Sequence, residues 1–443
     1  MKSARQSLRE SLPLLAILCI LGLACVIEDP EDNGGDQDSN STTVDTGGGG
    51  DAGGGGEGGG DTGGGGEGGS DGEGGSNGEG AADCSSPVDF TDHRIEADRT
   101  IPAGCYNVSS TIDIRQGTTT IEPGTTFIFA QDAGLRVRTN GRLTADASSG
   151  AAIVFTAAES TPGFWRGVRF ADSVSQNNIL SNVVIEYGGS SDWGFGNGGP
   201  ANLTLEGARI AISDITLQHS GGYGLWMRDA GTNPTFTGNT VITANAEAPV
   251  RTLPELVQFL NSEMSLTGNG DDYIETRGND INNGGVWESF DVPLFVIDEI
   301  RIRQGFLQIS AGNELIFHQG SGLRVDSDAR LAVNGVAGSP VIFRGDEPID
   351  GYWRGIRYSA TNSLDNKLEH VEIRDGGERN WGFGNGGPAN LTLDGARLSA
   401  NNLSLSNSAG VGIYVRSTYN FDLDCATLQN QDGFNTENAP CAN

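Results

Sequence analysis

Residues 120–129 read TIEPGTTFIF, and this stretch carries the pattern from which the fold follows: two short β-rich triplets separated by a turn. Ile, Phe and Thr favour strands, whereas Pro and Gly interrupt them. Similar triplets, many of them apolar-x-apolar, recur at residues 120–122, 127–129, 135–137, 153–155, 168–170, 183–185, 203–205, 215–217 and 225–227. An apolar-x-apolar triplet places two side chains on one face of a strand. The sequence therefore predicts many short strands, each with one buried face.

The segments between the triplets are rich in Gly, Asn, Asp and Ser and show no helical periodicity. Strands of three to five residues that repeat for over 300 residues are typical of a coil of short parallel strands. Each turn of such a coil covers the next, so the core is one-dimensional and the chain length is not restricted. Residues 84–443 can therefore form one domain although only 36% of the chain is hydrophobic.

The chain contains an internal duplication with a period of 188 residues. WGFGNGGPANLTL is identical at residues 193–205 and 381–393. Three further matches keep the same spacing: IRQG at 114–117 and 302–305, GLRV at 134–137 and 322–325, and FWRGVRF at 164–170 against YWRGIRY at 352–358. The matches run without a gap from about 112–228 onto 300–416. They predict two units, at about residues 98–285 and 286–443, within one domain.

Several stretches also resemble a known family. TIEPGTTFIF, GLRV, GRLTA (141–145), IVFTA (153–157) and WRGVRF (165–170) look like bacterial right-handed parallel β-helix repeat proteins of the pectin-lyase-like architecture. The segment from APVR (248–251) to VPLFV (292–296) resembles the junction between tandem units in such proteins. The resemblance implies an all-β fold, a single-stranded right-handed parallel β-helix (solenoid) of about 15 turns and on the order of 70 Å in length. It implies no particular activity, because one fold hosts many functions.

Charge and glycine are concentrated before this domain. The chain has 58 Asp and Glu against 27 Lys and Arg, a formal net charge of −31, and residues 26–83 hold 15 of these acids, 24 of the 69 glycines and no base. Such a segment has too little apolar surface to form a core, so residues 25–83 are predicted to be a disordered acidic Gly-rich linker. The rest of the chain is also acidic. This argues against nucleic acid and anionic membrane surfaces as partners, because phosphate binding needs clustered Lys and Arg.

Residues 1–24 have the form of a secretory signal, with a basic start and an apolar run at 12–24 that is too short to span a bilayer. The run ends in LGLAC at 21–25, which resembles a bacterial lipobox, although Gly22 stands where that family usually has Leu. The resemblance implies a lipoprotein signal peptide and lipidation of Cys25. Val26 after Cys25 implies an extracytoplasmic, lipid-anchored protein at the bacterial outer membrane or cell surface. An ordinary signal peptide with an incidental cysteine is the alternative.

Four further cysteines form two close pairs at the ends of the domain, Cys84 with Cys105 and Cys425 with Cys441. No CxxC motif and no Cys/His cluster with zinc-ligand spacing occurs in the sequence, so we predict neither a metal site nor a cofactor. Local pairing is expected in an exported protein. Each disulfide would contribute about 3 kcal/mol and would staple one end of the fold.

The repeated GFGNGG at 194–199 and 382–387 formally matches a dinucleotide-binding fingerprint. A proline and then a strand follow it, so the helix that this fingerprint requires is missing from the pattern. We interpret the stretch as a glycine-rich loop that leaves the coil. Its aromatic residues either pack over an adjacent turn or form a platform for sugar rings. The second reading gives as candidate glycan-binding residues Trp193, Phe195, Asn197, Trp381, Phe383 and Asn385. If each unit holds a whole number of turns, both loops lie on one side and could grip a polymer twice.

The sequence offers few candidates for catalysis. Lyases need a Lys, Arg, His or Tyr base, yet Lys367 is the only lysine of the domain, and no His or Lys recurs 188 residues away. Hydrolases of this fold use paired aspartates, but Asp271 and Asp272 lie in a GNGDD turn context and are assigned to a solvated turn. Arginines do recur, and we interpret four of them as surface pairing with acids: Arg166, Arg169, Arg209 and Arg228. No catalytic residue is predicted.

Two functions follow as hypotheses. The favoured one is a non-catalytic, surface-exposed lipoprotein, a monomer that presents a β-helix rod for adhesion, envelope structure or glycan binding. Its expected partners are a membrane, through the lipid anchor only, and a polysaccharide. The alternative is a carbohydrate-active enzyme, a polysaccharide lyase or glycoside hydrolase of the pectin-lyase-like fold.

Overall fold

The structure, a computed structural model, describes residues 84–194, 199–382, 387–435 and 441, without the side chains of residues 418–420. The predicted signal (1–24), the predicted linker (25–83) and Cys25 lie outside the described residues. The described chain is all-β, with 28 strands and a 3-10 helix. In this part of the chain, no helix is long and apolar enough to cross a membrane.

The strands are numbered β1 to β28 in chain order, and the 3-10 helix at Pro254–Phe259 follows β15. Their bounds are Val88–Asp89, Arg94–Ile95, Arg99–Ile101, Cys105–Val108, Ile112–Ile121, Thr126–Phe129, Leu135–Asp146, Ile153–Ala157, Val168–Ala171, Ile179–Glu186, Ala201–Glu206, Arg209–Gln218, Tyr223–Met227, Asn233–Thr243, Val250–Thr252, Ile274–Thr276, Asp280–Ile281, Gly284–Trp287, Leu294–Val296, Ile300–Ser310, Glu314–Phe317, Leu323–Asn334, Val341–Gly345, Ile356–Ser359, Lys367–Arg374, Ala389–Ser406, Val411–Leu423 and Gln429–Asn430.

These strands build the walls of a coil, in which each strand pairs in parallel with the strand one turn later. We call the three walls the first, second and third stacks. One unbroken in-register row defines the first stack: Ile112, Leu135, Val168, Leu203, Leu225, Val250, Ile274, Leu294, Leu315, Phe343, Ile373, Leu405 and Asn430. Ile95 beside Ile114 adds one turn before it, which gives about 14 turns against the about 15 predicted. The predicted all-β parallel β-helix is confirmed.

The second and third stacks follow the first in each turn. In the second, Ile121, Ala145, Leu180 and Ile212 lie in register in the earlier turns, and Ile302, Val325 and Tyr358 do so in the later turns. In the third, the corresponding residues are Phe127, Phe155, Ile185 and Leu217, and later Ile309, Val333 and Leu368. All of these side chains are buried in one continuous core.

The 188-residue period does not correspond to a whole number of turns. The row that starts at Ile112 passes through seven turns before it reaches Leu294, still on the first stack. Ile300, the counterpart of Ile112, comes after Leu294 in the same turn and pairs with Leu323 on the second stack. The second unit is therefore rotated by one stack about the axis of the coil. Each unit therefore does not hold a whole number of turns, and the two glycine-rich loops do not lie on one side of the coil.

The repeated WRG sequence supplies one core side chain and one glycine that lies close to the backbone of the next turn. Trp165 is fully buried, stacks on Phe129 with ring centroids 4.1 Å apart, and donates a hydrogen bond from Nε1 to the Glu186 carbonyl at 2.7 Å. Gly167 has a φ of +90°, and a Cβ there would lie 2.4 Å from the Ala201 carbonyl oxygen of the next turn. Only glycine fits such an approach. The second unit repeats both contacts through Trp353 and Gly355.

Buried asparagines form hydrogen bonds with backbone N–H and carbonyl groups where the coil turns. Asn202 accepts a hydrogen bond from Gly188 N at 2.8 Å and donates to the Gln218 carbonyl at 2.8 Å. Its counterpart Asn390 makes the equivalent bonds, to Gly376 N and to the Ser406 carbonyl. Buried backbone groups outside the ladders need such partners, because an unpaired one costs about 1–3 kcal/mol.

The two predicted disulfides are present, one near each end of the coil. Cys84 is bonded to Cys105 at the start of the third stack, with the Cα atoms 5.4 Å apart. Cys425 is bonded to Cys441 after the last long strand, with the Cα atoms 5.5 Å apart. Terminal turns have a neighbour on one side only, so a covalent link compensates for packing that the terminal turns lack.

We predict that Trp165→Ala lowers the free energy of unfolding by about 3–5 kcal/mol, because it removes a stacked indole from a filled core and leaves the Glu186 carbonyl without its donor. Leu364→Ala is the control. Its side chain is 71% exposed, so a change within about 0.5 kcal/mol is expected. Equilibrium urea unfolding of the two variants measures the difference, and similar values would contradict the packing described for Trp165.

Candidate functional site

The two predicted glycan-binding tryptophans lie against neighbouring turns. Trp193 covers Gly134, where a Cβ would lie 2.5 Å from its ring, and the Arg166 guanidinium lies 5.8 Å from its ring centroid. Trp381 covers Gly322 in the same way, with Arg354 at 4.2 Å. Trp193 is partly buried and Trp381 is 7% exposed. Both tryptophans thus pack over an adjacent turn, and Trp381 is almost wholly buried.

The other four candidate residues of these loops, Phe195, Asn197, Phe383 and Asn385, lie outside the described residues. The aromatic platform therefore stays a prediction. The rotation between units does constrain it. The first loop connects the third stack to the first, through β10 and β11, whereas the second loop connects the first stack to the second, through β25 and β26. A straight polymer along one wall would meet only one of the two loops.

The recurring arginines share carboxylates across turns. Glu206 lies between Arg169 and Arg228, at 2.5 and 2.6 Å from their guanidinium nitrogens. In the second unit Asp394 takes the place of Glu206 and is 2.8 Å from Arg357 and 3.8 Å from Arg416. The interpretation as pairing with acids is confirmed for Arg169 and Arg228. It stays a prediction for Arg166 and Arg209, which make no ion pair among the described residues.

In a second ion cluster, the acid and one of the arginines occupy opposite positions in the two units. Asp113 accepts hydrogen bonds from Arg138, Arg136 and Arg115 at 2.7–3.1 Å. Burial alone would raise the pKa of the Asp113 carboxyl, but these three arginines outweigh it and lower the pKa to about 2. In the second unit, Arg301 stands at the position of Asp113 and Asp326 at that of Arg138. Asp326 pairs with Arg301 and Arg324, so the pairing is retained although the acid has moved.

The most strongly built polar group on the outer wall is one that the sequence did not single out. It consists of Tyr223, Trp226, Arg251 and Glu275 on the outside of the first stack, and we call it the junction cluster. Arg251 Nε lies 3.1 Å from Glu275 Oε1, and the Tyr223 hydroxyl donates to Glu275 Oε2 at 2.8 Å. The Arg251 guanidinium is 5.2 Å from the Tyr223 ring centroid and 5.6 Å from that of Trp226.

The junction cluster is buried although it points away from the core. The side chains of Arg251 and Glu275 are 8% and 9% exposed. Burial, followed by the negative charge of Glu275, raises the pKa of the Tyr223 hydroxyl, which therefore remains a hydrogen-bond donor. A buried ion pair is a weak source of stability, but it fixes the direction of the groups that form it. The cluster therefore holds one guanidinium in a set orientation on the outside of the first stack.

The junction cluster lies where the 188-residue repeat is interrupted, and that interruption is the sequence signal that could have revealed it. Arg251 and Glu275 fall in the segment between the matched ranges, and the counterpart of Tyr223 is Val411. Their proximity depends on register, because Trp226, Arg251 and Glu275 are in-register neighbours on three successive turns. That register could not be read from a sequence whose turns differ in length.

A polar recess of about 270 Å³ lies on the outside of the second unit. Glu372, Ser404 and Gln429 form its floor in register on three turns, and His370 and Asn402 stand at its side with Nε2 and Nδ2 3.4 Å apart. The counterparts of the floor residues in the first unit are Val184, Thr216 and Val241. The second unit thus presents hydrogen-bonding side chains where the first is largely apolar, which is suited to hydroxyl-rich ligands.

The aspartate pair singled out in the sequence forms part of a turn. Asp271 and Asp272 are both exposed, and Asp272 Oδ1 accepts a hydrogen bond from the Asn269 backbone at 2.8 Å. The assignment to a solvated turn is confirmed. Among the residues that the structure describes, no group of three His, Cys, Asp or Glu is placed to hold a metal ion.

No protein-family model, no curated protein and no solved structure matches the chain. The residues described above are therefore the basis on which its function is inferred.

The Asp113 cluster predicts a stability change in acid. Because the folded pKa of Asp113 lies below the ordinary value of 3.8, its stabilising effect is present above about pH 4 and is lost as the pH falls towards 2. We expect wild type to lose about 1–2 kcal/mol more than Asp113→Asn over this range, since solvent screens part of the effect. Asp271→Asn is the control for an exposed carboxyl. Urea unfolding at several pH values measures it, and parallel curves for wild type and Asp113→Asn would contradict it.

Proposed function

We propose that the chain is a non-catalytic, lipid-anchored protein of the cell surface whose β-helix binds glycans. The observation that carries the proposal is the in-register repetition of outward side chains along the walls. Glu372, Ser404 and Gln429 repeat at about 4.8 Å along the axis, and all three are at least partly exposed. A linear array of polar groups is complementary to a linear polymer of hydroxyl-bearing rings.

The state of the carboxylates supports binding over catalysis. A general acid at neutral pH needs a raised pKa, which comes from an apolar site or a nearby like charge. Asp113 instead accepts bonds from three arginines, which lower the pKa of its carboxyl to about 2. Glu206, Asp326 and Asp394 are each paired with at least one arginine. The enzyme alternative, a lyase or glycoside hydrolase, would need a group outside these pairs.

The location is proposed from the sequence. A signal at 1–24, Cys25 in a lipobox-like context and an acidic linker at 25–83 together support an anchored domain held away from the membrane. The resemblance of residues 100–425 to right-handed β-helix repeat proteins, together with the parallel coil, supports membership of the pectin-lyase-like architecture. A disulfide near each end of the domain is typical of proteins in an extracytoplasmic compartment.

Lipidation of Cys25 is tested by metabolic labelling with a fatty acid in cells that express the full chain. Wild type is expected to incorporate the label and to fractionate with membranes, whereas Cys25→Ser is expected to lose both. Cys425→Ser, which removes a disulfide cysteine of the folded domain, is the matched control and should keep the label. Equal labelling of wild type and Cys25→Ser would refute the anchor.

Glycan binding is tested with the mature protein on immobilised polysaccharides. We expect micromolar to millimolar binding, typical of a shallow site, and a loss of at least tenfold in affinity in the Trp193→Ala plus Trp381→Ala double variant if the loops form an aromatic platform. Val174→Ala plus Leu364→Ala, which changes two exposed apolar residues, is the control.

Two results would redirect the proposal. Binding that survives loss of both tryptophans would remove the aromatic platform and leave the walls as the binding surface. Turnover of any polysaccharide in a broad panel, with or without Ca²⁺, would favour the enzyme alternative, and no binding to any glycan would exclude glycan binding as the function.

A further inference from the structure

A small pocket adjoins the junction cluster on the outside of the first stack. It has a volume of about 150 Å³, and its side chains come from Trp226, Arg228, Arg251, Leu253 and Arg277. Arg228, Leu253 and Arg277 each follow the last residue of a strand, β13, β15 and β16, on three successive turns. Leu253 is thus flanked along the axis by two arginines whose backbones are about 10 Å apart.

The three guanidinium groups of the pocket differ in how they are held. Arg251 is almost wholly buried and is fixed by Glu275 and Tyr223. Arg228 is bonded to Glu206 at 2.6 Å, and its guanidinium also lies 5.7 Å from the Trp226 ring centroid. Arg277 is exposed, and no acidic oxygen of the described residues lies within 4.0 Å of its guanidinium. Among the described residues, Arg277 is therefore the guanidinium of the pocket that no carboxylate neutralises.

We propose that this pocket binds an oxyanion, a carboxylate or a sulfate, carried by an acidic glycan. A guanidinium presents a planar fork of N–H donors that matches such an oxyanion in a bidentate manner. Arg251 is oriented before binding, so little side-chain entropy is lost there, and Arg277 supplies the charge that is not already neutralised. The proposal rests on glycan binding by this protein and names the class of glycan.

The acidity of the whole chain does not prevent this. Beyond residue 83 the chain has 42 acids and 24 bases, but at physiological salt the Debye length is about 8 Å, so distant charges are screened while the three arginines act at contact distance. The same balance disfavours nucleic acid. A polyphosphate needs a row of cations rather than one pocket, and the neighbouring outward residue on the next turn is Phe295.

The test uses the mature full-length protein at physiological salt and surface plasmon resonance. The probes are dextran sulfate, which carries sulfate esters, hyaluronate, which carries carboxylates, neutral dextran and a single-stranded oligonucleotide. Wild type is expected to bind at least one of the two acidic glycans more tightly than neutral dextran or the oligonucleotide. Arg277→Gln is expected to weaken that binding at least tenfold, or about 1.4 kcal/mol, and Arg277→Lys to weaken it less. Arg277 is exposed, so these variants are expected to fold.

Arg142→Gln is the matched control. Arg142 likewise has no described acidic partner within 4.0 Å but lies on the second stack, away from the pocket, and its loss is expected to change affinity less than twofold. Sodium sulfate is a further probe. It should alter the tryptophan fluorescence of wild type, through Trp226, and not that of Arg277→Gln.

The outcomes separate this inference from the proposed function. Preference for dextran sulfate or for hyaluronate identifies the source of the oxyanion and supports the pocket. Affinity unchanged in Arg277→Gln, equal binding of the oligonucleotide, or binding of neutral glycans only overturns the pocket but leaves glycan binding intact. An Arg277-dependent response to sodium sulfate without binding of any glycan supports the pocket and overturns glycan binding.

Discussion

Paired strand residues of this coil lie directly over one another on successive turns, at the spacing of about 4.8 Å that parallel strand pairing imposes. Inside the coil the consequence is the unbroken apolar row from Ile112 to Leu405. Outside it, side chains of like charge on adjacent turns would repel at that spacing. Arginines nevertheless lie in register on adjacent turns, as Arg301, Arg324 and Arg357 do, and carboxylates beside them offset the repulsion. Asp326 pairs with Arg301 and Arg324, and Glu206 pairs with Arg169 and Arg228. In the first unit the corresponding carboxylate is Asp113, which pairs with Arg136 and Arg138.

The strands were predictable because they depend on local pattern. Triplets such as Leu135-Arg136-Val137 alternate between buried and outward positions whichever turn they belong to, and the cysteine pairs lie close in sequence. The register between turns depends instead on the length of each turn. Val168 and Leu203 are 35 residues apart because the glycine-rich loop intervenes, whereas Ile274 and Leu294 are 20 apart. For this reason neither the rotation between the units nor the meeting of Tyr223 with Glu275 could be derived from the sequence.

Comparison of the two units separates structural residues from those free to specialise. Trp165 and Trp353 make the same stacking contact, and Asn202 and Asn390 cap the same backbone groups. These positions serve the coil, so both copies keep them. The residue types at outward positions are constrained only by charge balance and by whatever the wall contacts. That freedom is visible where Val184 and Val241 correspond to Glu372 and Gln429, and where Tyr223 of the junction cluster corresponds to Val411.

The rotation by one stack makes the duplication equivalent to a screw operation. A tandem copy that added a whole number of turns would have lengthened a single binding surface. The extra third of a turn sends the second WGFGNGG loop, with Trp381, to a different corner from that of Trp193. The same thirteen-residue sequence thus faces two directions in space. The duplication therefore placed two copies of one sequence at two corners of a single domain, which widens the range of directions in which that sequence is presented.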